Sequence, residues 1–523
     1  MNSRSLRTHS LLLASVSAIM GSGWLFAAYH TTVAAGPASI LAWVIGAACI
    51  IIVAFTFAEL SAFVPVTGAS IRVPRYTHGV LVGFVFSWIL WLSYLALMAI
   101  EVQAMIQYAN FFINGLVFKN GGLTNEGYIV ATCLMLVVTI INMYSLRWLM
   151  SCNSLLTILK IVIPIIIGGA ILLVQIPQSH FHFLIPSQQT VPFSLKGVLS
   201  AITAGGIIFS FNGFKQASEM SGEAKNPGFS LPIAIVGSVV VCLLIFVFLQ
   251  VAFLSTIHNM SGLAYWRHMK IGQMTSPFSV ILNHQNLGSL LPVLYLGAVL
   301  GPFAAGLMYC SSAARSLYAI SRNDSLPKWL CELTSRGLPY KAIFINFILG
   351  MCLFAPFPGW DKMANFLTSL MALSYAIAPV SLLVLRGSMG HKHRFFKLPV
   401  APLWCFVAFY ICTLIFYWSG WAVVSKFCVA FMIGLALLLI YRYGCRRDRS
   451  LDLGWRTSFW IWPYFIGVTL ISYLGNFGGL GIITMGWSFI WIGLLSLIVL
   501  ILAYYGAYDS STINTYVEQL QDE

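Results

Sequence analysis

One lysine stands inside an apolar run, Leu155-Leu156-Thr157-Ile158-Leu159-Lys160-Ile161-Val162-Ile163-Pro164. Counted from about Cys152, Lys160 lies roughly 12 Å into a helix at about 1.5 Å per residue. A charge at that depth faces a cavity or a partner, so Lys160 is a candidate for gaining and losing a proton. Snorkelling to the interface or a fixed ion pair are the structural alternatives. Elsewhere glycines interrupt apolar helices. Gly21-Ser22-Gly23 falls near the middle of the first apolar stretch, where two glycines flanking a serine let a helix unwind. The N–H groups exposed at the next half-helix suit a carboxylate, although small residues also serve close helix packing. Ala204-Gly205-Gly206 and Asn212-Gly213 interrupt a later stretch in the same way, and Asn-Gly is a turn dipeptide.

The charged residues nearby admit two readings. Lys215, Glu219 and Glu223 are spaced to share one helical face, which favours a salt-bridged strip. The sharper alternative has Lys215 attracting an acidic group or Glu219 relaying a proton. Glu101, followed by Gln103 and Gln107, either lines a pathway or serves as the fixed partner of a lysine. Glu59 is a further acid within a span. The ten histidines show no metal-ligand spacing, and no nucleophile–base pair or glycine-rich phosphate loop is present. Neither a metal nor any other cofactor is expected, and a membrane-embedded enzyme would have little to work with. A channel would need a continuous polar pore, and no helix shows a sustained polar stripe.

These residues need a frame, and composition supplies it. Of 523 residues, 59% are hydrophobic and 8% charged, against roughly 25% charged in a soluble domain. Apolar runs of the length a bilayer requires recur at Leu11–Ala35, Ser39–Phe63, Val80–Phe112, Gly127–Tyr144, Cys152–Val174, Leu199–Gly222, Leu231–Leu254 and Gly288–Ile320. They continue at Ala342–Phe357, Met363–Leu385, Leu403–Tyr417, Trp421–Tyr441, Ser458–Leu474 and Trp487–Tyr505. The count is about fourteen, or twelve if the short ninth and eleventh do not cross. With the N terminus in the cytoplasm, nineteen of the 28 Lys and Arg residues fall on the cytoplasmic side and six outside, the asymmetry of an inner-membrane protein. The +14 net charge therefore belongs to loops between spans, and no nucleic acid is expected as a partner. The 11 cysteines form no CxxC pair and mostly sit in apolar runs as reduced core residues. The expected organisation is a cytoplasmic segment 1–10, a ten-helix core 11–386, additional transmembrane helices 387–506 and a cytoplasmic tail 507–523. The first and sixth spans, both glycine-interrupted, occupy corresponding places in two five-helix halves. That arrangement points to a binding site at the interface of inverted repeats.

At these residues the chain resembles the amino acid–polyamine–organocation (APC) superfamily of permeases over roughly residues 10–345. The matching pieces are Gly21-Ser22-Gly23, the Pro65–Gly79 loop, Phe209-Ser210-Phe211-Asn212-Gly213-Phe214, Glu223-Ala224-Lys225-Asn226-Pro227 with Pro232, and the run from Ser312 to Pro327. The resemblance implies a secondary active transporter of LeuT-like fold: two inverted five-helix repeats, broken first and sixth helices, and extra C-terminal helices. It implies amino acid import by proton symport with alternating access, or amino acid/amine exchange on the same scaffold. Its partners would be a small-molecule substrate (an amino acid or related amine), a proton and the lipid bilayer. By the same resemblance the substrate carboxylate meets the backbone at Gly21, Ser22 and Gly23, and the amino group meets the carbonyls of Phe209, Ser210 and Asn212. Phe209 is similar to a gating aromatic, and Lys160 to a fifth-helix lysine used for proton coupling. Lys215-Gln216-Ala217 resembles a branch of acidic amino acid–proton symporters. The sequence departs from the family at Asn212, at Lys215 and at Gly68-Ala69, which replaces paired glycines.

Overall fold

Apolar runs in lipid fold as helices because the backbone there has only itself to hydrogen-bond with. The computed structural model describes residues 6–66, 69–144, 146–176, 194–257, 276–335, 337–390, 396–446 and 453–522. Gly68, His258, His268 and residues 391–395 lie outside the described residues. Among the described residues the chain is all-helical, with only isolated bridges at Leu6–Ala224 and Val117–Leu123.

The first span is two helices, α1 (Thr8–Ile19) and α2 (Gly23–Ala35), and the next, α3, spans Ser39–Phe63 as expected. Then follow α4 (Ala69–Ala109), α5 (Asn125–Tyr144) and α6 (Leu146–Gln175). The sixth span is broken into α7 (Leu195–Thr203), α8 (Ile207–Ser210) and α9 (Gln216–Glu219). Next come α10 (Pro227–Ser255), the short α11 (Pro277–His284), α12 (Leu291–Arg322), α13 (Tyr340–Cys352) and α14 (Trp360–Ser388). The chain ends with α15 (Ala401–Trp418), α16 (Trp421–Leu439), α17 (Ile461–Leu474), α18 (Met485–Gly506) and α19 (Ser510–Asp522). Among the described residues, ten helical stretches are long and apolar enough to cross a membrane, with Gly23–Phe63 counted as one, and four shorter apolar helices accompany them.

Two spans form the centre. The most apolar windows of α4 and α14 are 89% and 94% buried, against 28% for that of α18. Helix α12 lies along α4, α14 packs on α4 and α15, and α10 packs on α3 and α1. The outer helices turn Ile, Leu and Val outward, as at Ile158, Val162 and Ile165 of α6, the face that lipid covers. The buried amide of Gln250 on α10 joins three helices. Its Oε1 accepts from Thr31 (2.7 Å) and Trp43 (2.9 Å), and its Nε2 donates to Thr32 (2.8 Å). A buried amide satisfied on both sides fixes register where apolar packing alone does not.

Three expectations need correction. The stretch read as a Pro65–Gly79 loop is helical from Ala69 and kinks at Gly79, where φ is 90°. Helix α6 begins at Leu146 rather than near Cys152, so Lys160 lies about 21 Å from its start, near the helix middle. The strip of Lys215, Glu219 and Glu223 is not one helical face: α9 ends at Glu219, and a 3₁₀ turn carries Ser221–Glu223.

Candidate functional site

Breaking a helix frees its end groups, and the site is built from where those groups go. Helix α1 ends at Ile19, and Gly21 N–H turns back to Ile19 O (2.9 Å). The carbonyls of Ser17 and Ala18 thereby lose their ordinary helical partners. Ser17 O accepts from Lys160 Nζ at 3.1 Å, with Lys160 only 4% exposed. Ala18 O accepts from the Tyr309 hydroxyl at 3.1 Å. A hydrogen bond from an ammonium contributes about 1.5–3 kcal/mol, so Lys160 ties α6 to the broken end of α1.

On the other side of the break, the freed N–H groups open α2. Ser22 N–H donates to Glu101 Oε2 at 3.0 Å, a carboxylate from α4 at the positive end of a half-helix. Glu101 and Lys160 also interact electrostatically. Glu101 thus faces the first break and Lys160 at once. The Ser22 hydroxyl accepts from Trp360 Nε1–H at 3.0 Å.

The sixth span is interrupted twice. Gly206 has φ 84° and Gly213 has φ 115°, values at which an L side chain is strained. Between them, Asn212 N–H donates to Phe209 O (2.9 Å). The Asn212 side chain donates to the Tyr309 hydroxyl (3.0 Å) and accepts from the Tyr375 hydroxyl (3.0 Å). The two breaks meet directly at Gly23, where a Cβ would stand 2.5 Å from Ser210 Oγ.

Aromatic rings enclose this junction. Phe209 meets Trp360 edge-on at 5.3 Å, and Phe26 stacks on Trp360 at 5.0 Å. Lys215, 5% exposed, sets its ammonium 5.0 Å from the Tyr94 ring centre and 5.5 Å from that of Tyr375. Such desolvated contacts contribute about 2 kcal/mol. Glu219 lies beyond it, half-buried and within electrostatic reach of Lys215.

The structure therefore gathers Gly21, Ser22, Gly23, Glu101, Lys160, Phe209, Ser210 and Asn212 at one buried junction, with Lys215 beside it and Glu219 at its margin. Sequence reasoning missed Trp360, Tyr309, Tyr375 and Tyr94. Tyr94, Tyr309 and Tyr375 are aromatics within apolar spans, a pattern that ordinary core packing also produces, and Trp360 stands just before the span that begins at Met363. The one outward cue is Gly359 immediately before Trp360, where φ is 96°.

Comparison with known proteins agrees with this architecture. The amino acid permease family model matches residues 6–439. The glutamate/serine transporter AimA of Bacillus subtilis is 32% identical over 541 residues, covering 99% of this chain and 98% of that protein. The aspartate-proton symporter of the same organism is 32% identical over 524 residues, covering 98% of each. The branched-chain amino acid permease BcaP of B. subtilis is 25% identical over 450 residues, covering 84% of this chain and 93% of that one. With its broken first and sixth spans and a family match over most of its length, the chain belongs to the amino acid permease family.

Proposed function

We propose that this permease imports amino acids in symport with protons, alternating access to a site formed by the breaks of its first and sixth spans. The observation that carries the reading is the buried Lys160 ammonium on the freed Ser17 carbonyl at 3.1 Å. There a proton on Nζ decides whether α6 and α1 are tied. Similarity to an aspartate-proton symporter supports the coupling ion.

The roles follow from the geometry. Ser22 and Gly23 offer N–H groups to the substrate carboxylate, flanked by Gly21. Since Glu101 Oε2 already accepts from Ser22 N–H, an arriving carboxylate displaces it. Glu101 then turns to the Lys160 ammonium or takes up a proton. The substrate amino group goes to free lone pairs on the carbonyls of Phe209, Ser210 and Asn212, while the Asn212 side chain keeps its two tyrosines. Phe209 against Trp360 closes the site on the side away from α1. Lys215 favours an acidic substrate, in keeping with the glutamate and aspartate in the names of two relatives, and Glu219 serves as a relay beside it. The excess of basic residues in loops on one side supports a plasma-membrane orientation with both termini cytoplasmic.

The test is uptake of radiolabelled aspartate, glutamate, serine, arginine and putrescine into proteoliposomes. Accumulation of aspartate or glutamate under a proton gradient, and none under a sodium gradient, is expected. Transport only against an internal amine, or a preference for arginine, would overturn the reading.

A further inference from the structure

Two carbonyls at the end of α1 lose their helical partners, and different helices take them. Lys160 holds Ser17 O, and Tyr309 of α12 holds Ala18 O. Tyr309 does more than satisfy one acceptor, because its oxygen also accepts from Asn212 Nδ2 at 3.0 Å. On its far side, Asn212 Oδ1 accepts from the Tyr375 hydroxyl at 3.0 Å. One unbroken line of hydrogen bonds therefore runs from the broken end of the first span, through α12 and the second break of the sixth span, to α14. Tyr309, Asn212 and Tyr375 are 7%, 5% and 2% exposed, so water does not substitute readily for a lost link. Backbone packing supports the line. A Cβ on Gly213 would stand 2.5 Å from the Ala18 carbonyl carbon, and Ser15 Oγ donates to Phe214 O (3.3 Å) and accepts from Ala217 N–H (3.1 Å). The segment around Asn212 and the end of α1 are thus already one packed body, and Tyr309 fastens that body to α12.

We propose that Tyr309 is a positioning residue of the transport cycle: its hydroxyl links the breaks of the first and sixth spans to α12, so that a change at the Lys160–Ser17 contact is transmitted to both breaks together. Without the hydroxyl, the breaks still bind substrate but no longer respond to the proton as a unit. The inference rests on the proton-symport reading given above.

The test compares wild type, Tyr309→Phe and Tyr375→Phe in proteoliposomes, measuring proton-driven accumulation and counterflow of the substrate identified in the uptake screen. Phenylalanine keeps the ring that stacks on Tyr94 at 6.3 Å and removes only the link. Tyr309→Phe removes two buried hydrogen bonds and should lose at least about tenfold in accumulation, with counterflow and substrate KM within about twofold of wild type. Tyr375→Phe, which leaves the Ala18–Tyr309–Asn212 part intact, should lose less. Tyr309→Leu removes the same hydroxyl and repeats the test should Tyr309→Phe not reach the membrane. In the Tyr309→Phe/Tyr375→Phe double variant the losses should not add, since both substitutions cut one line. Equal losses of accumulation and counterflow, additive losses, or an unchanged Tyr309→Phe overturn the role of Tyr309. Failure of wild type to accumulate substrate on a proton gradient overturns instead the symport reading beneath it.

Discussion

Adding a single methyl group to Gly23 tests whether the two breaks close on each other. The ideal Cβ would stand 2.5 Å from Ser210 Oγ, 2.9 Å from Ser210 Cβ and 3.0 Å from Ser210 Cα. Rotating the hydroxyl away from Gly206 O, to which it donates at 2.8 Å, relieves only the first of these contacts. The other two involve the main-chain path of α8, so the helices must separate by several tenths of an ångström. Overpacking of this kind costs about 1–3 kcal/mol, which at about 1.4 kcal/mol per decade lowers the closed state about 5- to 140-fold. Gly21→Ala makes the control. Its Cβ meets Glu101 Oε1 at 2.6 Å but nothing of the main chain within 3.4 Å, and a carboxylate can swing aside. Initial uptake rates per mole of reconstituted protein should therefore fall steeply for Gly23→Ala and mildly for Gly21→Ala. A well-folded Gly23→Ala protein with wild-type uptake would show that the glycines serve packing alone.

Two further outcomes separate structural from functional charges. Glu59 is fully buried, and its carboxylate accepts from Arg386 through two nitrogens and from Leu398 N–H at 2.8 Å. Arg386→Ala takes a bidentate cation away from that buried carboxylate, a loss of about 3–5 kcal/mol, so the thermal midpoint in detergent should drop clearly; an unchanged midpoint contradicts the assignment. Lys215→Gln removes the charge between Tyr94 and Tyr375 and should lower the aspartate-to-serine uptake ratio about tenfold. An unchanged ratio with a lowered midpoint would assign Lys215 to packing.

The two broken spans were legible because glycine beside serine or asparagine has little reason to sit in an apolar helix unless the helix stops there. Ser39–Phe63 was legible to the residue, since Pro37 and Pro65 bracket a run whose one charged residue is Glu59. Lys160 was legible as a charge where lipid tolerates none, although its depth was underestimated because α6 extends six residues further toward its N terminus than hydropathy suggested. What failed was periodicity across a break. Lys215, Glu219 and Glu223 keep helical spacing on paper, but α9 ends at Glu219 and the 3₁₀ turn over Ser221–Glu223 resets the register. The helix from Ala69 to the Gly79 kink was hidden by Pro74, a residue that ordinarily argues against helix interiors. Trp360, Tyr309 and Tyr375 were illegible for another reason. Their hydroxyl and indole groups matter through partners about 97 to 338 positions away, such as Asn212 for Tyr309 and Tyr375 and Ser22 for Trp360, and local sequence carries no trace of such pairings.

Lys160 is where the account is most exposed. Alanine there removes the hydrogen bond to Ser17 O and the positive charge of Lys160 that acts on Glu101, while leaving Ser22, Gly23 and the sixth-span carbonyls in place. The direct measurement is accumulation of radiolabelled aspartate or glutamate by Lys160→Ala proteoliposomes under an imposed proton gradient, beside binding of the same substrate in detergent. Binding should persist within an order of magnitude while accumulation above equilibrium is lost. If Lys160→Ala still concentrates substrate on a proton gradient alone, Lys160 is structural and the coupling proton is carried elsewhere.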